Sequence, residues 1–271
     1  MSDPFGPALS AMIGPWSLFG PTSFQDYLTG NHIPKKDTAQ AISVDHLERL
    51  APSLKAKNTM VLRLGKGHFV LIGTPGHLHD FFLHDDELFG KRPPEAYESA
   101  KEAITPYRVF PTLTETSLVN LAFASGLIGH ALGLDPPYPT AAPATGSSTY
   151  TFRFRPHAHM GAILIHMGGQ VEIDAVFTGS RGGKPHLFIL EAKSGTDTRT
   201  LAKHKLVYPI LALAPRVDPA WPIIPIYLRT VADTNAIHYH IAECRFPDPR
   251  NGVQALTELE PVLARTHTLC L

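Results

Sequence analysis

The sequence predicts a mixed α/β fold of the α+β kind, and three observations carry that prediction. Two apolar runs, residues 170–177 and 186–193, flank a turn-rich Gly-Ser-Arg-Gly-Gly-Lys-Pro segment and read as a hairpin of buried strands. A helical repeat of Leu118, Leu121, Ser125, Ile128 and Leu132 precedes the hairpin, and a second helical stretch over 198–213 follows it. Strand-like runs at 223–228 and 237–241 come next.

Taken in order, residues 1–105 read as a small separate α+β module. Ser43 is placed to cap a short helix through Leu47 and Leu50 that Pro52 bends or ends. Residues 59–64 and 68–72 are β-like around Gly65-Lys66-Gly67, a natural hairpin. Phe81, Phe82 and Leu83 are expected to seal this module's core. Helix followed by hairpin suggests a winged-helix element that grips DNA. Residues 91–94 and 106–111 read as proline-bearing connections.

Residues 106–271 form the second expected domain. Its long helix opens at Thr112-Leu-Thr-Glu115 and meets a stop at Gly133. Residues 135–149, rich in Pro, Ala, Ser, Thr and Gly, read as a loop. Strands are expected at 149–154 and 161–166, then the hairpin. Pro209 interrupts the 198–213 helix, and 254–264 reads as a closing helix.

Zero formal net charge removes any global field that would announce a polyanionic partner. Locally, Arg181, Lys184, Lys193, Arg199, Lys203 and Lys205 gather around the hairpin, against Glu191 and Asp197. Two cysteines give neither a metal spacing nor a disulfide framework. The proline-cut N-terminus reads as neither signal peptide nor membrane span, so a cytoplasmic protein without a membrane partner is expected.

Asp174 lies in the first strand of the hairpin, and Glu191 and Lys193 close the second. Residues two apart on a strand share a face, so Glu191 and Lys193 point the same way. Carboxylates on such strands are costly unless they bind a cation or each other. Bland readings exist beside this one. Asp174 can be a hairpin-end carboxylate, Glu191 and Lys193 a same-face ion pair of little worth at a surface, and Glu172 a solvent-facing residue. Glu115, three after Thr112, can close a capping box, and Lys203 and Lys205 can form a solvated helix face.

The arrangement resembles the PD-(D/E)XK nuclease superfamily, over roughly residues 110–245. It is most similar to type II restriction endonucleases with four local features. These stand here as Thr114-Glu115 with Ala122-Phe-Ala-Ser-Gly126, Gln170-Val-Glu-Ile-Asp174, Glu191-Ala-Lys193 and His204-Lys-Leu-Val-Tyr-Pro209. His204 and Lys205 depart from the Arg-Gln of the last pattern.

The resemblance implies a restriction endonuclease-like core of α-β-β-β-α-β order and cleavage of double-stranded DNA. It implies Mg2+, with Mn2+ as a substitute, held by Asp174, Glu191 and the Ala192 carbonyl. Lys193 then positions or activates the attacking water, and Glu115 holds a water or a second ion. Lys203, Lys205 and Tyr208 would contact DNA, and a homodimer would cut both strands. Nucleases of repair, recombination or mobile elements, and inactive DNA-binding relatives, share the pattern.

Among the 15 histidines, His77-x-His79, His157-x-His159 and His238-x-His240 each put two imidazoles on one strand face. Nothing in the sequence marks a third ligand, so these read as surface strand histidines rather than a zinc site. A Walker loop, a dinucleotide fingerprint and a Gly-x-Ser-x-Gly elbow are all absent from the sequence.

Overall fold

A seven-stranded mixed sheet carries an apolar layer on each face in the computed structural model, which describes residues 3–90, 93–197, 199–233 and 235–270. The α+β class expected from the sequence is therefore the one formed. Among the described residues no helix is long and apolar enough to cross a membrane.

The first segment contributes α1 (Gly6–Ala11), β1 (Ser17–Ser23), α2 (Phe24–Gly30), α3 (Thr38–Ile42), α4 (Pro52–Ala56), β2 (Thr59–Gly65), β3 (His68–Gly73), β4 (Phe82–His84) and α5 (Asp85–Phe89). The β2–β3 hairpin forms where expected, with Gly65, Lys66 and Gly67 all at positive φ, and β1 pairs with the far side of β3. Phe81, Phe82 and Leu83 are buried. The helix expected from Ser43 through Leu47 and Leu50 is reduced to a 3-10 turn, Leu47–Arg49, which Ser43 does not cap. Ser43 instead ends α3, and Pro52 starts α4, because a first-turn proline gives up only an amide that would lack a partner anyway.

The second segment contributes β5 (Glu95–Tyr97), α6 (Lys101–Arg108), α7 (Glu115–Ala124), α8 (Leu127–Ala131), β6 (Ala144–Phe154), β7 (Leu164–Arg181), β8 (Lys184–Ser194), β9 (Thr200–Ala202), α9 (His204–Leu213), β10 (Ile223–Ala232), β11 (Ala236–Arg245) and β12 (Glu260–Cys270). The sheet order is β5-β12-β11-β10-β8-β7-β6, with β8 parallel to β10 and β5 parallel to β12. β4 and β9 pair separately.

Several elements differ from expectation. The long helix breaks at Gly126, which sits at φ 76 and hands α7 over to α8. Pro106 falls inside α6 rather than in a connection, and Lys91 and Arg92 of the other expected connection lie outside the described residues. The 135–149 loop yields its last residues to β6. The expected strands at 161–166 and 170–177 are one continuous β7 that passes through Gly168 and Gly169. Of the 198–213 helix, Thr198 is outside the described residues, 200–202 form β9, and only α9 is helical, with Pro209 inside it. The closing helix is instead a 3-10 turn, Leu256–Glu258, followed by β12. Pro261 is accommodated there at a register shift opposite Cys244.

α7 and α8 pack one face of the sheet against Phe177, Phe188, Leu190, Ile226 and Leu228. The other face holds Ile189 and Tyr227 under α9, and there the core is continuous with Phe24, Leu62, Phe69 and Leu71 of the first segment. Residues 1–105 and 106–271 thus share one apolar interior. Backbone bonds reinforce it, with the Ala202 amide donating to the Asp45 carbonyl at 2.7 Å and the Lys203 amide to the Phe81 carbonyl at 2.8 Å.

Candidate functional site

The hairpin places the motif. Gly182 and Gly183 both adopt positive φ, the requirement of a two-residue hairpin turn, and the ladder runs from Arg181↔Lys184 to Ala175↔Leu190. The paired register ends there. Beyond it the Ala192 amide donates to Asp174 Oδ2 at 2.9 Å, so the Asp174 side chain takes over where β7 leaves β8.

Glu115, Glu172, Asp174 and Ala192 line one cleft of about 450 Å³ at this separation. Among the described residues neither lysine nor arginine lines it. Glu115 reaches the cleft from the first residue of α7, free of capping duty. The N-cap is Thr114, whose hydroxyl accepts the Ser117 amide at 3.2 Å, and not the Thr112 that the sequence suggested.

Glu191, next to Ala192 on β8, does not itself line the cleft and is 2 % exposed. Its Oε1 stands 2.7 Å from Lys193 Nζ and 3.3 Å from Lys205 Nζ. Burial pushes the Glu191 carboxyl up to about 7, with Asp174 adding to the rise and Lys205 and Lys193 opposing it. Burial also works against the Lys193 ammonium, but the adjacent Glu191 outweighs it and holds the lysine above its ordinary value. Lys205 is raised too, where Glu191 and then Asp45 overcome the cost of burial.

The donor types suit a cation, but among the described residues Glu115, Asp174 and Glu191 do not bring three ligand atoms within 4.8 Å of one another, so an ion would have to draw them together. Three carboxylates and a backbone carbonyl are hard oxygen donors of the kind magnesium takes, with room left for water. Glu191 Oε1 is buried and takes no aligned hydrogen bond among the described residues, although two ammonium groups touch it.

The residues expected on DNA are placed otherwise. Tyr208 is buried, with its hydroxyl donating to the Arg63 carbonyl at 3.2 Å. Lys203 Nζ donates to the Thr257 carbonyl at 3.3 Å, and burial lowers its pKa. Lys205 serves Glu191. All three are thus engaged within the fold, although Lys205 and Tyr208 also line a pocket of about 270 Å³ shared with Asp45 and Arg63 of the first segment. Arg181, part of the local basic group, is spent on Glu243 and the Leu132 carbonyl.

Sequence reasoning missed Asp45, which adds from the first segment to the rise of Lys205 and lines a pocket with it. It also missed Arg229, which pairs with Lys193 in register and is bound to Asp85 at 3.0 Å and to the Gly195 carbonyl at 2.7 Å. Neither carries a local signal, since both partnerships span distant parts of the chain.

A protein-family model described as "Domain of unknown function (DUF6997)" matches residues 89–259. The chain belongs to the DUF6997 family. The DUF6997 match includes Glu115, Asp174, Glu191, Lys193 and Lys205, while Asp45 lies before it. No curated protein and no solved structure matches the chain.

Proposed function

We propose that the chain is a magnesium-dependent endonuclease that hydrolyses phosphodiester bonds in double-stranded DNA, of the type II restriction kind. The observation that carries this reading is the cleft that Asp174 and Glu115 both line, with Glu191 and Lys193 on the neighbouring strand. The order α7-α8-β6-β7-β8-β9-α9-β10 supports it, since apart from α8 and the short β9 it runs in the α-β-β-β-α-β sense expected of the family the motif resembles.

In this reading Asp174, Glu191 and the Ala192 carbonyl hold Mg2+ or Mn2+, with Glu115 holding a water or a second ion. The ion, when bound, neutralises charge on the phosphodiester and lowers the pKa of a water. Lys193 stays protonated beside Glu191, so it orients the attacking water and stabilises negative charge rather than accepting a proton. Lys205 shares the load of Glu191 and leaves Lys193 less tightly committed. The cytoplasm is the proposed location, and a homodimer would bring two sites to the two strands.

The test is plasmid cleavage with and without magnesium, followed by sequencing of the ends. Metal-dependent cutting at a fixed sequence, lost in Asp174→Asn, is expected. Metal-dependent cutting at random positions would assign the chemistry to a nuclease of repair, recombination or mobile elements. DNA binding with no cleavage under any divalent ion would leave a DNA-binding relative.

A further inference from the structure

Away from the cleft, two of the histidine pairs turn out not to lie on strands. His77 precedes the 3-10 turn Leu78–Phe81, and His157 sits in the turn after β6. Asp80 supplies the third group that the sequence did not reveal. Its Oδ2 lies 3.0 Å from His77 Nδ1 and 3.2 Å from His157 Nε2, and all three atoms fall within 4.8 Å of one another.

We propose that His77, Asp80 and His157 form a zinc site that fastens the 77–80 turn to the 157–160 turn. The inference is independent of the nuclease reading. Zinc with bonds of about 2.0–2.1 Å in a tetrahedron spaces its ligands roughly 3.3 Å apart, close to the spacings that Asp80 already shows. Two imidazoles and a carboxylate are a borderline-soft set that suits zinc better than magnesium. A water completes the tetrahedron, since His77 and Asp80 are each nearly half exposed.

The surroundings suit a metal. The Trp16 ring packs 5.4 Å from His77, 4.7 Å from His157 and 5.4 Å from His159, giving one side an apolar cover. The His159 ring stands 5.5 Å from His77 and 5.2 Å from His157, a third imidazole beside the site. His79 is not involved and packs against His84 instead.

One hydrogen bond sets a requirement on this site. The His159 amide donates to His157 Nδ1 at 3.1 Å, which leaves the ring proton of neutral His157 on Nε2, facing Asp80. Zinc at Nε2 displaces that proton to Nδ1, so the His159 amide must let go and the 157–160 turn must shift. Long-range proton–nitrogen spectra of the imidazoles read this exchange directly.

The experiment titrates the full chain with Zn2+, by calorimetry and by those spectra, for wild type, His77→Ala, Asp80→Asn and Asp174→Asn. Wild type and Asp174→Asn should each bind one zinc here and melt at higher temperature, with His157 changing from the Nε2–H to the Nδ1–H form. His77→Ala and Asp80→Asn, altered at half-exposed positions, should fold and bind zinc roughly 100-fold more weakly. Zinc affinity unchanged by both substitutions, absence of zinc binding to wild type, or a His157 that keeps its Nε2 proton at saturating zinc would overturn the proposal. Nuclease activity enters none of these readouts.

Discussion

Lys205 approaches the same Glu191 oxygen as Lys193, at 3.3 Å against 2.7 Å, so one buried carboxylate is held by two ammonium groups from different elements. This relationship separates the work of the two lysines, and the first predictions rest on it.

Lys193→Ala should abolish cleavage while leaving DNA binding intact. The substitution removes the ammonium nearest the proposed reaction, and loss of one such stabilising group costs about 100–1000-fold in rate. Plasmid nicking and a gel-shift titration on the same protein check both halves. Full cleavage by the variant would take Lys193 out of the mechanism.

Lys205→Ala should act on stability rather than on contact with DNA. Glu191 would keep one ammonium instead of two, and uncovering part of a buried charge costs roughly 1–3 kcal/mol at pH 8. The salt dependence of DNA binding should not change, because the lysine is committed to Glu191. A slope lowered by about one unit would return Lys205 to the role of phosphate anchor.

Glu191→Gln predicts a pH signature. With its folded pKa raised from 4.5 to about 7, the native Glu191 holds a proton that the unfolded chain releases between those values. Its contribution therefore makes stability fall as pH rises through that window, by at most about 1.4 kcal/mol per unit, with the full penalty above it. Urea melts from pH 5 to 8 should show this decline in wild type relative to Glu191→Gln. Buried histidines such as His204 and His240, lowered by burial to about 4, affect both proteins alike and cancel in the difference. Parallel curves would mean that Glu191 is not held up by burial.

Tyr208→Phe should weaken the union of the two segments. Its hydroxyl bonds the Arg63 carbonyl across the shared core, and losing it leaves that carbonyl short of a donor, at about 1 kcal/mol. Chemical denaturation measures the loss, which should appear as a shifted midpoint of a single transition. Two separate transitions would contradict the common interior.

The hairpin bearing Asp174 and Glu191 was legible because its cues are local, with apolar runs on either side of two adjacent glycines. The unity of β7 was not, since Gly168 and Gly169 look like a break. A Cβ at Gly169 would lie 2.5 Å from the Gly65 Cα, so that glycine serves a close approach of β2 to β7. Leu256, Leu259 and Leu263 have helical spacing, yet pairing of β12 with β11 overrides it. The engagement of Lys205 and Tyr208 within the fold and the meeting of Asp80 with His157 depend on partners far away in the chain. No local pattern encodes them.

The interior shared by both segments has a practical meaning for anyone trimming this protein. A fragment cut at residues 89 and 259 would lose β1 to β4 and all of β12, an interior strand between β5 and β11. It would bare the apolar side of α9 and leave β5 and β11 without their common neighbour, a surface that invites aggregation. Expression trials should therefore keep both flanks, and an insoluble fragment would report on where the cut was made rather than on the chemistry of the cleft.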